Sequence, residues 1–355
     1  MADQRSRNEA RSPVRLAVVG AGLIGARHIA HIADHPDARL VSIVDPAPAA
    51  EALAAHHGAR HFASLDDLLA AAKPDGIILA SPNSLHVAQG LKTIAAGIPT
   101  LVEKPISDDV ASGERLVAAA RANAVPLLVG HHRRHNPLVA HAKSVIDAGE
   151  LGQLIAAHAF FWLRKPDPYF ETVWRREPGG GSRLINCIHD IDLLRHFLGE
   201  IEAVQAFESR AIRGFPVDET TVATLRFANG ALGTITISDT IVAPWSWEHN
   251  ASENRTFPRA DQNFLMIGGT HASLAVPRLD LWRHMGERDW LAPLSAHRLA
   301  IPEQDPLIRQ IGHFARVIRG DEAPLVTGED GLNNLRVTAA LARAAESGKT
   351  EAVFG

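Results

Sequence analysis

The sequence predicts a two-domain α/β protein, with an N-terminal doubly wound parallel sheet followed by an α/β domain built on an open, mainly antiparallel sheet. Three observations predict it. The first third alternates short apolar runs with helical patterns, the rhythm of βαβ units. Gly20-Ala21-Gly22-Leu23-Ile24-Gly25 lies at the junction of an apolar run and a helical pattern. Beyond about residue 131 the strands lengthen and alternate in character, and Asn229-Gly230 separates two of them. A chain of 355 residues exceeds what one core usually serves, so the expected division is a polar tail over 1–12, a first domain over 13–130 and a second over 131–355.

The expected strands of the first domain are Val14 to Val19, Leu40 to Val44, Gly76 to Ala80, Thr100 to Val102 and Pro126 to Val129, all largely apolar because helices cover both sheet faces. A helix is expected over Leu23 to Ala33. Another follows Ser64, a hydroxyl N-cap with Asp67 three residues on, and a third runs through Leu116 to Ala120 with Ser107 as its cap. In the second domain, Thr220 to Phe227 and Ala231 to Ser238 flank Asn229-Gly230, which favours a two-residue hairpin turn. Ile235 and Ile237 alternate with Thr234, Thr236 and Ser238, so this sheet has one buried and one free face. The stretch 243–261 has no periodicity, and a loop of that length is usually functional. Helices are expected again at Leu307 to Ile318 and Leu332 to Glu346.

Composition excludes several classes. Hydrophobic residues at 46% and charged residues at 21% are those of a globular chain. A net charge of -4 argues against a general nucleic-acid binder. The single cysteine, Cys187, allows neither an intrachain disulfide nor a cysteine zinc site, which fits a reducing, cytoplasmic setting. No apolar run approaches the roughly 20 residues that span a bilayer, and residues 1–12 lack the character of a signal or transit peptide. There are 19 histidines, some of them in His131-His132-Arg133-Arg134-His135, but no carboxylate or cysteine follows at ligand spacing, so no metal is expected. An exposed basic face is one reading of His132 and Arg133.

The Gly20, Gly22 and Gly25 motif, placed between strand and helix, is a dinucleotide-binding fingerprint and marks the first domain as a Rossmann domain. Its glycines give a tight turn, close approach of backbone to pyrophosphate and close packing of helix on strand, while Leu23 and Ile24 open a helix whose N–H groups and dipole favour phosphate. Asp45 follows Gly25 by twenty positions, where a carboxylate binds the adenosine ribose. Its charge repels a 2′-phosphate, and Pro46-Ala47-Pro48 supplies no cation, so NAD is favoured over NADP. Lys104, in Glu103-Lys104-Pro105, ends a strand at the carboxyl edge of the sheet, where open α/β folds bind ligands. Further on, Gly179-Gly180-Gly181 precedes a helical stretch in which Asn186 and His189 share a face.

With these motifs, and with Ser81-Pro82-Asn83-Ser84-Leu85-His86 and Thr327-Gly328-Glu329-Asp330-Gly331-Leu332, the sequence resembles the glucose-fructose oxidoreductase, inositol dehydrogenase and rhizopine-catabolism (Gfo/Idh/MocA) superfamily across nearly its whole length. The resemblance implies that Lys104 binds the reacting oxygen, with a cis bond to Pro105, and that His189 exchanges its proton. It also implies that Glu103 faces the nicotinamide ribose, that Ser81, Asn83 and His86 belong to a loop beside the cofactor, and that His132 or Arg133 faces the nicotinamide or substrate as an alternative to the exposed basic face. Physical chemistry suits these roles, since a fixed cation stabilises a developing alkoxide and a histidine titrates near neutrality. One departure stands out. Family members often carry Asp four residues before the histidine, and Ile185 holds that position here.

The expected activity is NAD-dependent oxidation of a secondary hydroxyl on a sugar, cyclitol or related cyclic polyol, with reversible ketone reduction. Asn186, Trp174 and Arg133 are expected to help bind the substrate. Alternatives are a dihydrodiol or carboxylated cyclic alcohol as substrate, or a non-catalytic NAD-binding regulator. A homodimer or homotetramer is expected, formed through the free sheet face.

Overall fold

Short apolar strands that bury both faces need helices on either side, and the first part of the chain supplies them in alternation. A computed structural model describes residues 12–354, so the expected tail lies, apart from Ser12, outside the described residues. The chain forms two compact units. One runs to Gly130 and also takes in Leu307–Glu329, and the other comprises His131–Pro306 and the chain from Asp330 onward.

The first unit contains β1 (Val14–Val19), α1 (Leu23–Ala33), β2 (Ala38–Val44), α2 (Ala49–His56), β3 (Arg60–Phe62), α3 (Leu65–Ala71), β4 (Gly76–Leu79), α4 (Asn83–Ala95), β5 (Thr100–Val102), α5 (Val110–Ala122) and β6 (Leu127–Val129). Its six strands are parallel in the order β3-β2-β1-β4-β5-β6, so the order reverses between β1 and β4. Strand β3 escapes the sequence pattern because it has three residues and begins on Arg60 and His61. Ser64 does cap α3, accepting the Asp67 N–H while its hydroxyl donates to the Asp67 carboxylate. Ser107 does not cap α5. Asp109 does so, accepting the Ser112 N–H at 2.9 Å, while the Ser107 hydroxyl donates to the Asp109 carbonyl.

The second unit contains α6 (Pro137–Asp147), β7 (Leu154–Trp162), α7 (Ile188–Leu198), β8 (Ile201–Ser209), β9 (Thr220–Phe227), β10 (Leu232–Ser238), the short α8 (Trp247–Asn250), β11 (Leu265–Gly269), β12 (Ser273–Val276), β13 (Asp280–His284) and β14 (Leu294–Arg298). After α9 (Pro306–Ile318) come α10 (Gly328–Ser347) and β15 (Glu351–Ala352). Nine strands run in the order β14-β13-β12-β11-β7-β10-β9-β8-β15, antiparallel except where β7 meets β10. One face packs on α6, α7 and α10, burying Phe161, Ile235, Ile267, Leu194 and Leu341.

Two expectations are corrected here. The β9–β10 connection is a three-residue loop: the Gly230 N–H donates to the Phe227 carbonyl, and Gly230 adopts φ +86°, the bulged form of a hairpin turn. The second domain is also not contiguous. Helix α9 buries Ile311, Phe314 and Ala315 in the core of the first unit, alongside Leu16 and Ile78. An amphipathic stripe states that a helix has a core to cover, but not which one.

Candidate active site

In the first unit the chain turns at Gly20 with φ +92°, and a Cβ there would stand 2.6 Å from the Ala80 carbonyl oxygen. A Cβ on Gly25 would stand 1.9 Å from the Gly20 carbonyl oxygen, so α1 crosses this turn at a distance only glycine permits. Gly22 N-caps α1 without a side-chain bond, and Leu23 behind it is exposed. An uncapped helix N-terminus of this kind offers N–H groups and a favourable dipole to an anion. Ile24 is partly buried on the core.

Asp45 follows β2. Its carboxylate accepts the Ala21 N–H and the Ala47 N–H, each at 2.8 Å, so main-chain donors hold the charge in place. It borders a cavity of about 550 Å³ together with Gly20, Pro46, Ser64, Ser81 and Lys92. The glycine turn, the uncapped helix, the fixed carboxylate and this cavity fit a bound dinucleotide at the switch point of the sheet.

The neighbouring loops are tied to the backbone. The Ser81 hydroxyl donates to Gln89 at 2.6 Å, and Asn83 opens α4. His86 is fully buried, with Nδ1 2.8 Å from the Pro105 carbonyl oxygen and Nε2 2.9 Å from that of Ser81. It therefore straps the Ser81 loop to the Lys104-Pro105 loop instead of presenting its ring to a ligand. The Lys104-Pro105 bond is cis. Glu103 is buried; one oxygen lies 2.8 Å from His28 Nε2 and the other accepts the Lys104 N–H at 3.2 Å. His28, on α1, was invisible to pattern reasoning because its partner is 75 residues away.

In the second unit His189 is the second residue of α7 and is buried. Before it, Arg183–Cys187 forms a π-helical turn, a widening often found at functional sites. Asp218 holds its start, accepting from the Ser182 hydroxyl at 2.8 Å and the Arg183 N–H at 2.7 Å. Asn186 lies within this turn, and its side-chain oxygen is buried without a hydrogen-bond partner. The rings of His131 and His132 stand edge-on to His189, with centroids 5.8 and 5.3 Å away.

Arg133 is buried, and its guanidinium donates to Asp190 at 2.8 Å and to Glu248 at 3.1 Å while lying 4.9 Å from the Trp247 ring. With both carboxylates engaged, it anchors the loop after β10 and is not the exposed or substrate-facing cation expected. Burial raises the Asp190 carboxyl to about 7; Arg133 opposes this and Glu248 adds to it. Arg134 forms a bidentate pair with Asp192 at 2.7 and 3.0 Å, and Asn334 donates to the same carboxylate. Burial would raise Asp192, but Arg134 and His131 outweigh it and hold the carboxyl well below the usual range.

Trp174 is exposed on a short 3₁₀ turn, Val173–Arg176, and the Arg175 guanidinium lies between the Trp174 and Tyr169 rings, at 5.6 and 4.0 Å. Trp247 is core, packed edge-on against Phe264, and Trp245 lies against Trp162. Lys165 is a buried cation that sequence reasoning missed; it sits 3.4 Å from Asp239, and desolvation lowers its pKa against the pull of that carboxylate. Among the described residues no group of three or more His, Cys, Asp or Glu could hold a metal ion, and no helix is long and apolar enough to cross a membrane.

Two family models match the chain. The model for the oxidoreductase family with an NAD-binding Rossmann fold covers residues 14–131, and that for the GFO/IDH/MocA C-terminal domain covers 139–275. The chain belongs to the GFO/IDH/MocA family. Among family relatives, the rhizopine catabolism protein MocA of Rhizobium meliloti is 24% identical over 92% of this chain and 93% of its own length. Inositol 2-dehydrogenase of Rhizobium meliloti is 31% identical over 53% of this chain and 56% of its own length. The solved WlbA dehydrogenase of Bordetella pertussis, in complex with NADH and UDP-GlcNAcA, is 28% identical with a TM-score of 0.78, covering 96% of this chain and 99% of that one. Like other members of the GFO/IDH/MocA family, this chain is an oxidoreductase that uses a nicotinamide dinucleotide and acts on CH–OH groups.

Proposed function

We propose that this chain is an NAD-dependent dehydrogenase that oxidises a secondary hydroxyl of a sugar, cyclitol or related cyclic polyol, and reduces the matching ketone in reverse. The observation that carries the reading is the buried, unpartnered side-chain oxygen of Asn186, three residues before His189. An unmet acceptor in a buried position costs on the order of 1–3 kcal/mol, and a substrate hydroxyl supplies the missing donor. The inositol 2-dehydrogenase relatives and the 1,5-anhydro-D-fructose reductase of Ensifer adhaerens, 27% identical over 81% of this chain, support this substrate class.

Bound NAD⁺ supplies the hydride acceptor. Lys104 holds the reacting oxygen and stabilises its developing negative charge, His189 takes the hydroxyl proton at a ring nitrogen, and Asn186 orients the hydroxyl. Gly20, Gly22, Leu23, Ile24 and Gly25 receive the pyrophosphate, and Ser81, Asn83 and Glu103 line the cofactor. Asp45 carries the choice of NAD over NADP. Its carboxylate is held by main-chain donors on the cavity wall, where its charge would oppose a 2′-phosphate, and Lys92, a cation bordering that cavity, is engaged by Asp66 at 2.7 Å. Trp174, being exposed, is available as a stacking surface for a sugar ring.

A carboxylated sugar is the second reading, favoured by the UDP-GlcNAcA held by the WlbA dehydrogenase. We further propose a cytoplasmic homodimer or homotetramer. The test is a panel of cyclitols, aldoses, uronic acids and dihydrodiols, read by nicotinamide absorbance with NAD⁺ and NADP⁺ separately. Turnover of uronic acids alone selects the second reading, and NAD⁺ binding with no turnover across the panel selects a regulator.

A further inference from the structure

The long loop after β10 sends two carboxylates to the turn that precedes α6. Glu248 reaches Arg133, and Glu253 reaches His132, whose Nε2 stands 2.8 Å from the Glu253 carboxylate. The loop is built to hold this position. Ser246 caps α8, Asn250 donates to the carbonyls of Pro244 and Ala260 at 2.8 and 2.9 Å, and Trp247 buries its ring against Phe264. The indole N–H of Trp247 donates to Glu253 at 2.9 Å, and the Asn136 amide approaches the same oxygen at 3.4 Å. Glu253 thus has donors on both oxygens. Burial opposes its ionisation, but His132, Arg133 and the indole N–H outweigh it and keep the carboxyl below the usual range.

The His132 ring in turn stands edge-on to His189 at 5.3 Å, with the planes 70° apart. His132 is therefore hydrogen-bonded to the carboxylate and in ring contact with His189, and it approaches that histidine from a different element than the position that Ile185 fills with a hydrocarbon. We propose that Glu253 and His132 position the His189 imidazole and set its proton affinity, so that a carboxylate on the long loop governs the proton-exchanging histidine on α7. Both are positioning residues. Within this unit His131, on the same turn as His132, also stands edge-on to His189, Asp190 follows it on α7 with its partner Arg133, and Glu248 lies behind Arg133. Glu253 differs from them in that its charge reaches the ring through another imidazole. An ionised Glu253 favours the imidazolium form of His189, and its removal lowers the pH at which that form persists.

The inference rests on His189 being the proton-exchanging group, and its test is read without turnover so that the two fail separately. The NAD⁺-saturated full-length protein, labelled with ¹⁵N at histidine, is titrated by NMR, and the resonance lost in His189→Gln assigns His189. In Glu253→Gln the His189 midpoint should fall by about half a unit to one unit, and Glu253→Asp should restore it. In the unmodified protein the His132 curve should carry a second step at the His189 midpoint, which His189→Gln abolishes. That measurement stands even when Glu253→Gln does not fold. A single-step His132 curve, or an unmoved His189 midpoint in folded Glu253→Gln, overturns the coupling. An active His189→Gln enzyme overturns instead the role given to His189.

Discussion

The Arg133 guanidinium donates to the Asp190 carboxylate at 2.8 Å with both groups buried, yet Asp190 titrates near 7. Burial and the nearby Glu248 carboxylate outweigh the single cation between them. A carboxyl raised from its ordinary 3.8 to about 7 binds its proton more tightly in the folded state. Its contribution is therefore complete below about pH 4 and is lost as pH rises through about 7. We expect this group alone to cost about 4 kcal/mol of stability across that window. Thermal unfolding of Asp190→Asn should show a flatter pH dependence between pH 5 and 8 than the unmodified protein, and an unchanged slope would sink the assignment.

Arg134 and Asp192 behave in the opposite sense. Two guanidinium bonds and the Asn334 amide hold the carboxylate ionised, so its stabilisation is present above the ordinary carboxylate range and is lost only on strong acidification. Asp192→Ala removes the bidentate partner of a buried cation, for which the half-buried Asp330 at 3.3 Å is a weaker substitute. We expect a loss of about 3–5 kcal/mol by denaturant unfolding at pH 7. A loss below about 1 kcal/mol would show that Arg134 is held well enough without Asp192.

These two ion pairs mark what the sequence leaves illegible. The glycine turn, Asp45 and the edges of β1 and β5 were readable because the reasons for them are local: a turn, a strand buried on both faces, a helix start. Arg133–Asp190, Arg133–Glu248 and His132–Glu253 join residues 57, 115 and 121 positions apart, and no periodicity encodes such a pairing. The π-helical turn at Arg183–Cys187 is equally silent, since the apolar stripe of Ile188, Ile191 and Leu194 continues beyond it and suggests an unbroken helix. Helix α9 showed its amphipathic face but not its destination.

At the cofactor site, Asp45→Ala removes a carboxylate whose oxygens are held by the Ala21 and Ala47 N–H groups. NAD⁺ affinity should fall about tenfold, the worth of a charge-assisted bond to the ribose, while NADP⁺ affinity holds or improves. Dissociation constants from protein fluorescence give the comparison. Equal or tighter NADP⁺ binding by the unmodified protein would count against the proposed preference.

The sheet of the second unit exposes Phe207, Val222, Leu232 and Trp282 on the face away from its helices. A depression of about 730 Å³ runs across that face between His158, Gln205, Thr224 and Met266. An apolar sheet face of this extent is a surface to be covered, and in the proposed homo-oligomer a second copy of the chain would cover it with the same residues. Sedimentation at micromolar concentration should show an oligomer, and Phe207→Asp with Val222→Arg should yield a folded monomer. A monomeric unmodified protein would end the proposal.

Lys104 and His189 belong to different units, so their substitutions should leave different signatures. Lys104→Ala should keep NAD⁺ binding nearly intact, because the proposed pyrophosphate site is the Gly20–Gly25 turn, yet cut turnover severely by removing the proposed alkoxide stabilisation. His189→Ala should cost about 10²–10⁴-fold in kcat, the usual worth of a placed general base, and change the shape of the pH–rate profile. Asn186 separates binding from orientation. Its unpartnered oxygen predicts that Asn186→Ala raises KM, since the cost of that acceptor is recovered only when substrate arrives. If the amide also aligns the hydroxyl, kcat falls with it. Steady-state kinetics on the best substrate of the panel decide all three, and wild-type turnover in both Lys104→Ala and His189→Ala would move the chemistry to other residues.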